Sequence, residues 1–238
     1  MTIVVEPHTQ HIISEASIQK LPPPVARSLR RSGAVGQPVP NRVRLSQRGQ
    51  ILLSDRWLPF TADETYTLDP PSFDWAASVR LAGLPIARAK DSLADGRGRM
   101  QVRLANLFTV VDASGPEMDQ GSLLRWLNET MWFPHVWATD VISWRPVDDT
   151  SAIGAVSVDD LTVEAEFRFD TEGRLVDFCA ERYRVGEGEA ALTTWCTPLT
   201  GHARFDGVEV PVEGSAIWEL EAGDLEYIRL QVTDLRLE

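Results

Sequence analysis

Cysteine and histidine are both scarce in this chain, with two of the first and four of the second among 238 residues. Two cysteines are too few for a disulfide scaffold. The histidines, His8, His11, His135 and His202, make no believable metal set, because no cysteine or carboxylate cluster accompanies the His8–His11 pair. There is no P-loop, no strand-to-helix GxGxxG and no GxSxG elbow. Nucleotide cofactors and serine-hydrolase chemistry therefore lack support, and no cofactor is expected. Basic residues are also outnumbered: 23 Lys and Arg face 35 Asp and Glu, for a net charge of −12. That balance disfavours nucleic acid or an anionic membrane as a partner. The local exception, Arg27, Arg30 and Arg31 in "VARSLRRSG", reads as a solvated helix face. No apolar run reaches the roughly 18 residues needed to cross a bilayer. The opening residues lack the basic, apolar and cleavage regions of a signal peptide. A cytoplasmic protein without a membrane span is the expectation, with its oligomeric state open.

What is present is ordinary globular composition, 43% hydrophobic and 24% charged. Residues 1–20 lack periodicity and read as a loose arm; 21–238 read as a single β-cup domain. "LPPPVARSLRRSG" predicts a short helix with proline in its first turn and Gly33 as its stop. From Asn41 the period becomes two. Phe73, Trp75, Ala77, Val79 and Leu81 alternate with polar neighbours, as on a strand with one buried face. Leu58, Phe60, Ala62, Tyr66 and Leu68 share a parity that Glu64 interrupts. About a dozen such strands, joined by short turns, predict a mainly β (α+β) fold with one large antiparallel sheet. A sheet that long must curl into an open barrel, split or close. Its concave side is expected to hold a central helix, with the short N-terminal helix beside it. A hairpin turning near Glu187 and Gly188 sets Cys179 opposite Cys196, where β-carbons lie roughly 5 Å apart. In the cytosol such a pair is expected to be reduced.

The central helix is predicted to begin at Gly121 and Ser122 and to end before Pro134, with Glu117 and Asp119 just upstream. At 100° per residue, Leu123, Leu124, Leu127 and Met131 form a core-facing arc. Arg125, Asn128, Glu129 and Trp132 fall on the opposite arc, with Trp126 and Phe133 at the flank. Two arrangements satisfy this pattern. Arg125 and Glu129 form an i,i+4 surface pair, or the arc faces a cavity and Glu129 lies beside an indole that raises its pKa.

Further candidates come from the strands and loops. Asp91 and Asp112 end strands on apolar parities, where an acid caps a turn, meets solvent or does chemistry. Arg182 shares the parity of Phe178 and Ala180, so it binds a buried anion or reaches out to water. His135 follows "WFP" and is a candidate acid or base, with simple packing as its alternative. Eight tryptophans build a core or line a wide apolar cavity.

The stretches "LPPPVARSLRRSG", "RWLPFTADETY", "GPEMDQGSLLRWLNETMWFP", "FRFDTEGRLVDFCAERYR" and "FDGVEVPVEGSAIWEL" together resemble a group of uncharacterised bacterial proteins of unknown function. The resemblance runs over nearly the whole chain from about residue 20. Its pattern includes an arginine and an acid in the central helix, matching Arg125 and Glu129, and a Trp-Phe-Pro matching Trp132, Phe133 and Pro134. It implies a curved antiparallel β cup similar to bacterial lipoprotein carriers, and supplies no reaction.

The leading expectation is a cofactor-independent acid/base enzyme, of cyclase, isomerase or hydrolase type, acting on a lipophilic small molecule. Its catalytic candidates are Glu129, Arg125, Asp112 and His135. Its ligand-binding candidates are Trp57, Tyr66, Trp75, Trp132, Trp144, Arg182 and Trp195. A non-catalytic carrier of an apolar ligand is the alternative, and a partner-binding subunit the third.

Overall fold

Two short helices precede the sheet in the computed structural model, which describes residues 11–105, 107–184 and 190–238. Helix α1 (Glu15–Ile18) starts at a Ser14 capping box, and α2 (Pro23–Ser32) ends at left-handed Gly33. Residues 11–20, expected in a loose arm, are packed instead: Ile13 and Ile18 are fully buried. Two apolar anchors are enough to tie down a segment that shows no periodicity.

Strands β1 (Arg42–Leu53), β2 (Arg56–Thr67), β3 (Ser72–Leu81), β4 (Leu84–Ala94), β5 (Arg97–Leu104) and β6 (Phe108–Ala113) then form a meander. Its tight hairpins place positive φ at residue pairs such as Asp95–Gly96, as two-residue turns require. Helix α3 (Pro116–Glu129) and two 3-10 turns, Thr130–Trp132 and Pro134–Ala138, follow. The chain resumes with β7 (Ile142–Pro146), β8 (Ser151–Val158), β9 (Leu161–Phe169), β10 (Leu175–Arg184) and β11 (Ala191–Cys196). It ends with β12 (Leu199–Phe205), β13 (Val208–Trp218) and β14 (Leu225–Leu237).

Among the described residues all fourteen strands belong to one antiparallel sheet, curled into a half-barrel. Because β14 pairs with β1, the strands last and first in the chain meet in the middle of the sheet. The sheet edges are β6 and β7, which are consecutive in sequence. Helix α3 is the link between those edges. It crosses the concavity and packs on β4 and β5 of one arm and on β8, β9 and β10 of the other.

The helix begins five residues before its expected start, with Pro116 in the first turn where its missing N–H costs nothing. Asp119 fastens this end, accepting from the Gly98 backbone N–H at 2.7 Å and from Arg97 at 2.9 Å. Gly98 is required there, since a β-carbon would lie 2.5 Å from the Met118 carbonyl oxygen. The expected leucine arc, Leu123, Leu124 and Leu127, is fully buried.

Cys179 does stand opposite Cys196, and the two form a disulfide rather than the expected thiols. The turn expected near Glu187 and Gly188 lies outside the described residues. Among the described residues no helix is long and apolar enough to cross a membrane.

Candidate functional site

Three strands carry a polar residue on their inward parity: Gln47 on β1, Glu64 on β2 and Asp91 on β4. All three are buried. Arg125 descends on them from α3, with its side chain only 13% exposed. It gives one nitrogen to each of three carboxylates: Nη2 to Glu64 at 2.9 Å, Nη1 to Asp91 at 2.7 Å, and Nε to Glu129 at 2.8 Å. Its guanidinium also lies over the rings of Phe73 and Trp75, 4.8 and 5.0 Å from their centroids. Gln47 Nε2 donates to Glu64 at 3.3 Å, and Trp75 Nε1 donates to Gln47 at 3.2 Å.

One cation cannot balance three buried anions, so protons must be retained. Burial raises the Glu64 carboxyl well above its usual range; Arg125 opposes that shift, and the Glu129 charge reinforces it. Burial also raises Glu129, again against the pull of Arg125. Tyr66, fully buried alongside, has its phenol raised by burial and by both glutamates. The favoured state holds a proton within the Glu64–Glu129 pair, beside a permanently charged Arg125.

This cluster forms one wall of a cavity of about 170 Å³, enclosed between α3 with the 3-10 turn that follows it and strands from both arms of the sheet. Apolar groups dominate elsewhere, with Trp75, Met131, Trp132, Trp195 and Ile228 among them. An engineered cavity of ~150 Å³ holds benzene. The space therefore suits one ring or a short alkyl segment, and is narrower than eight tryptophans suggested. Asp91 Oδ1 and Glu129 Oε2 are buried and have no hydrogen-bond partner. Both residues line the cavity, but these particular oxygens are shielded from it, and the proton held by the glutamate pair is shared through Glu129.

The arc opposite the leucines meets this cavity: Arg125, Asn128, Glu129 and Trp132 all line it. Asn128 is held by Thr197 at 2.6 Å, and Trp132 donates to the Pro211 carbonyl at 3.1 Å. Trp75, Arg182 and Trp195 line it too, with the Arg182 guanidinium 4.5 Å from the Trp195 ring centroid. Tyr66 sits behind the wall, against Trp132 and Phe133.

Four candidates lie elsewhere. Asp112 is exposed on edge strand β6 and pairs with Arg99 at 3.0 Å, because its parity there points outward. Trp57 lies under Arg229 near the β1–β2 turn. Trp144 packs edge-on against Phe167 and Trp137, outside the cavity. His135 is fully buried in the second 3-10 turn and does not line the cavity. The sequence reading missed Glu64 and Gln47 as site residues and weighed Asp91 only as a strand-end acid. The signal was there, as a polar residue breaking an apolar parity.

His135 yields a stability prediction instead. Burial pushes its imidazole down to about 4. The unfolded chain takes up this proton near pH 6.5, so between those values the unfolded state binds more protons. Its stabilisation is complete above pH 6.5 and declines as pH falls toward 4. Between pH 7 and pH 4 the wild type is expected to lose about 3 kcal/mol more than His135→Leu, measured by urea titration. Parallel pH profiles of the two proteins would rule this out.

Residues 11–230 match the Family of unknown function (DUF6544), and the chain belongs to that family. No curated protein matches it. Among solved structures it is similar to a DUF1329 family protein from Desulfovibrio piger, at 13% identity and a TM-score of 0.48, covering 96% of this chain and 94% of that one. It is also similar to a putative outer membrane lipoprotein-sorting protein domain from Vibrio parahaemolyticus, at 7% identity and 0.44, covering 83% and 86%. A LolA superfamily protein from Nitrosomonas europaea is similar at 10% identity and 0.45, covering 88% and 91%.

Proposed function

We propose that this DUF6544 protein binds or carries a small, largely apolar molecule without transforming it. The ligand's ring or alkyl part lies against Trp75, Trp132 and Trp195, and its polar end faces the wall formed by Arg125, Asn128 and Glu129. The observation that carries this reading is an apolar, indole-rich cavity interrupted on one wall by the Arg125 cluster with Asp91 and Glu129. Such a cavity with few polar groups is the usual character of a ligand site. Arg125 supports binding over catalysis, because its three kinds of nitrogen are already occupied by Glu64, Asp91 and Glu129. It has little capacity left to polarise a substrate. The cavity also weighs against a purely partner-binding subunit. The Cys179–Cys196 disulfide favours an oxidising compartment over the cytoplasm expected from the sequence.

Acid/base catalysis keeps one supporting observation, the raised carboxyl of Glu129, a residue that lines the cavity. Glu129→Gln separates the two readings. A carrier variant is expected to bind a neutral apolar dye within about threefold of wild type, since no hydrogen bond to the dye is lost. The readout is quenching of tryptophan fluorescence. If the wild type converts a bound compound that the variant binds but leaves unchanged, the carrier reading is wrong and the enzyme reading stands.

A further inference from the structure

We infer that the hairpin ends β1–β2, β3–β4 and β5–β6 form a docking surface for an anionic lipid bilayer. These strands are consecutive neighbours in the sheet, so their three turns lie side by side at one end of it. Leu53, Leu81, Leu84, Leu104, Leu107 and Phe108 are all exposed there, Leu107 at 78% and Phe108 at 69%. Large apolar side chains gathered on a surface mark a protein or membrane contact.

The charges beside them identify the partner. Arg56, Arg80, Arg88 and Arg103 are exposed within four residues of these tips. Arg88 and Arg103 are direct cross-strand partners, with Lys90 next on the same face. Like charges so placed repel and need a counter-charge. None of these five side chains forms an ion pair among the described residues, although the chain's net charge is −12. Asp55 is the acid at these three tips, and nearby Asp112 is occupied by Arg99. Glu219, Glu221 and Asp224 of the β13–β14 turn lie at the same end beyond β1, leaving the β3–β5 side as the basic part of the surface. Unneutralised bases beside aliphatic tips match phosphate headgroups over acyl chains. A second copy joined through β6 would instead bring two basic faces together. The cavity reaches Ile51 and Ile228, which pair close to the β1–β2 tip, so docking sets that end of the cavity toward lipid. The inference is independent of whether the cavity's occupant is carried or converted.

The test is flotation of the full chain with phosphatidylcholine vesicles, with and without phosphatidylglycerol. The wild type is expected to float with the anionic vesicles and to be released by salt. Leu107→Ser with Phe108→Ser, and separately Arg88→Glu with Arg103→Glu, are each expected to weaken this binding by about tenfold or more. All four positions are exposed, so the fold tolerates the changes. The proposal is overturned if the wild type ignores anionic vesicles or if both double variants bind like wild type. It is equally overturned if the apolar pair serves only to dissociate a dimer in sedimentation.

Discussion

Arg125→Met is expected to destabilise the protein by about 3–5 kcal/mol, the cost of stranding buried charges without their partner. Glu64, Asp91 and Glu129 all converge on this guanidinium, from two strands and the helix itself. Without it, three buried carboxyls share a space with no cation, and they must stay protonated or admit water. Arg125→Lys is expected to rescue little, because one ammonium cannot reproduce a planar fork that reaches three acceptors while lying over Phe73 and Trp75. Urea unfolding at pH 7 measures both variants. Glu64→Gln is the informative contrast: its carboxyl is held toward the neutral form, so an amide replaces it at far smaller cost. A loss under about 1 kcal/mol for Arg125→Met would mean that the cluster is open to water, since exposed ion pairs contribute no more than that.

Trp137→Ala is the second large effect, at about 3–5 kcal/mol for removing a buried indole. Trp137 is buried at the turn where the chain leaves α3 for β7. Its ring meets Trp144, Phe167 and Phe169 edge-on, with centroids 6.0, 5.7 and 6.1 Å away. Its Nε1 donates to Thr130 Oγ1 at 2.8 Å, and its carbonyl accepts from Trp144 Nε1 at 3.0 Å. Truncation therefore opens a hole and removes one donor from the Thr130 hydroxyl, which keeps its bond to the Leu127 carbonyl at 2.6 Å. A midpoint drop of roughly 6–20 °C in thermal unfolding is expected for a chain of this size. Because the residue lies outside the α3 cavity, dye binding below the transition should persist. Loss of binding with unchanged stability would place Trp137 in the ligand site instead.

The strands, the single long helix and its two faces were legible because each rests on local periodicity. A repeat of two exposes a half-buried strand, and a repeat of 3.6 splits α3 into its leucine arc and its Arg125–Asn128–Glu129–Trp132 arc. The facing of Cys179 and Cys196 was legible for the same reason, since one hairpin sets its own register. Asp112 misled because its row, shared with Gln101 and Lys90, faces outward, and a register shift between β5 and β6 breaks the parity it seemed to share with Phe108 and Val110. Trp144 misled because an indole's residue type does not distinguish core from cavity.

The charge cluster shows where local reading ends. Arg125 lies 61 residues from Glu64 and 34 from Asp91. Nothing in the spacing of those residues encodes their meeting. That depends on the registers of β2, β3 and β4, on the curl of the sheet, and on α3 crossing from edge to edge. The amino-acid sequence determined which faces are apolar and which polar residues break them. Only the tertiary structure decided that three such breaks share one guanidinium beside a cavity, because side-chain periodicity is local whereas the distances that set charge, proton and ligand are not.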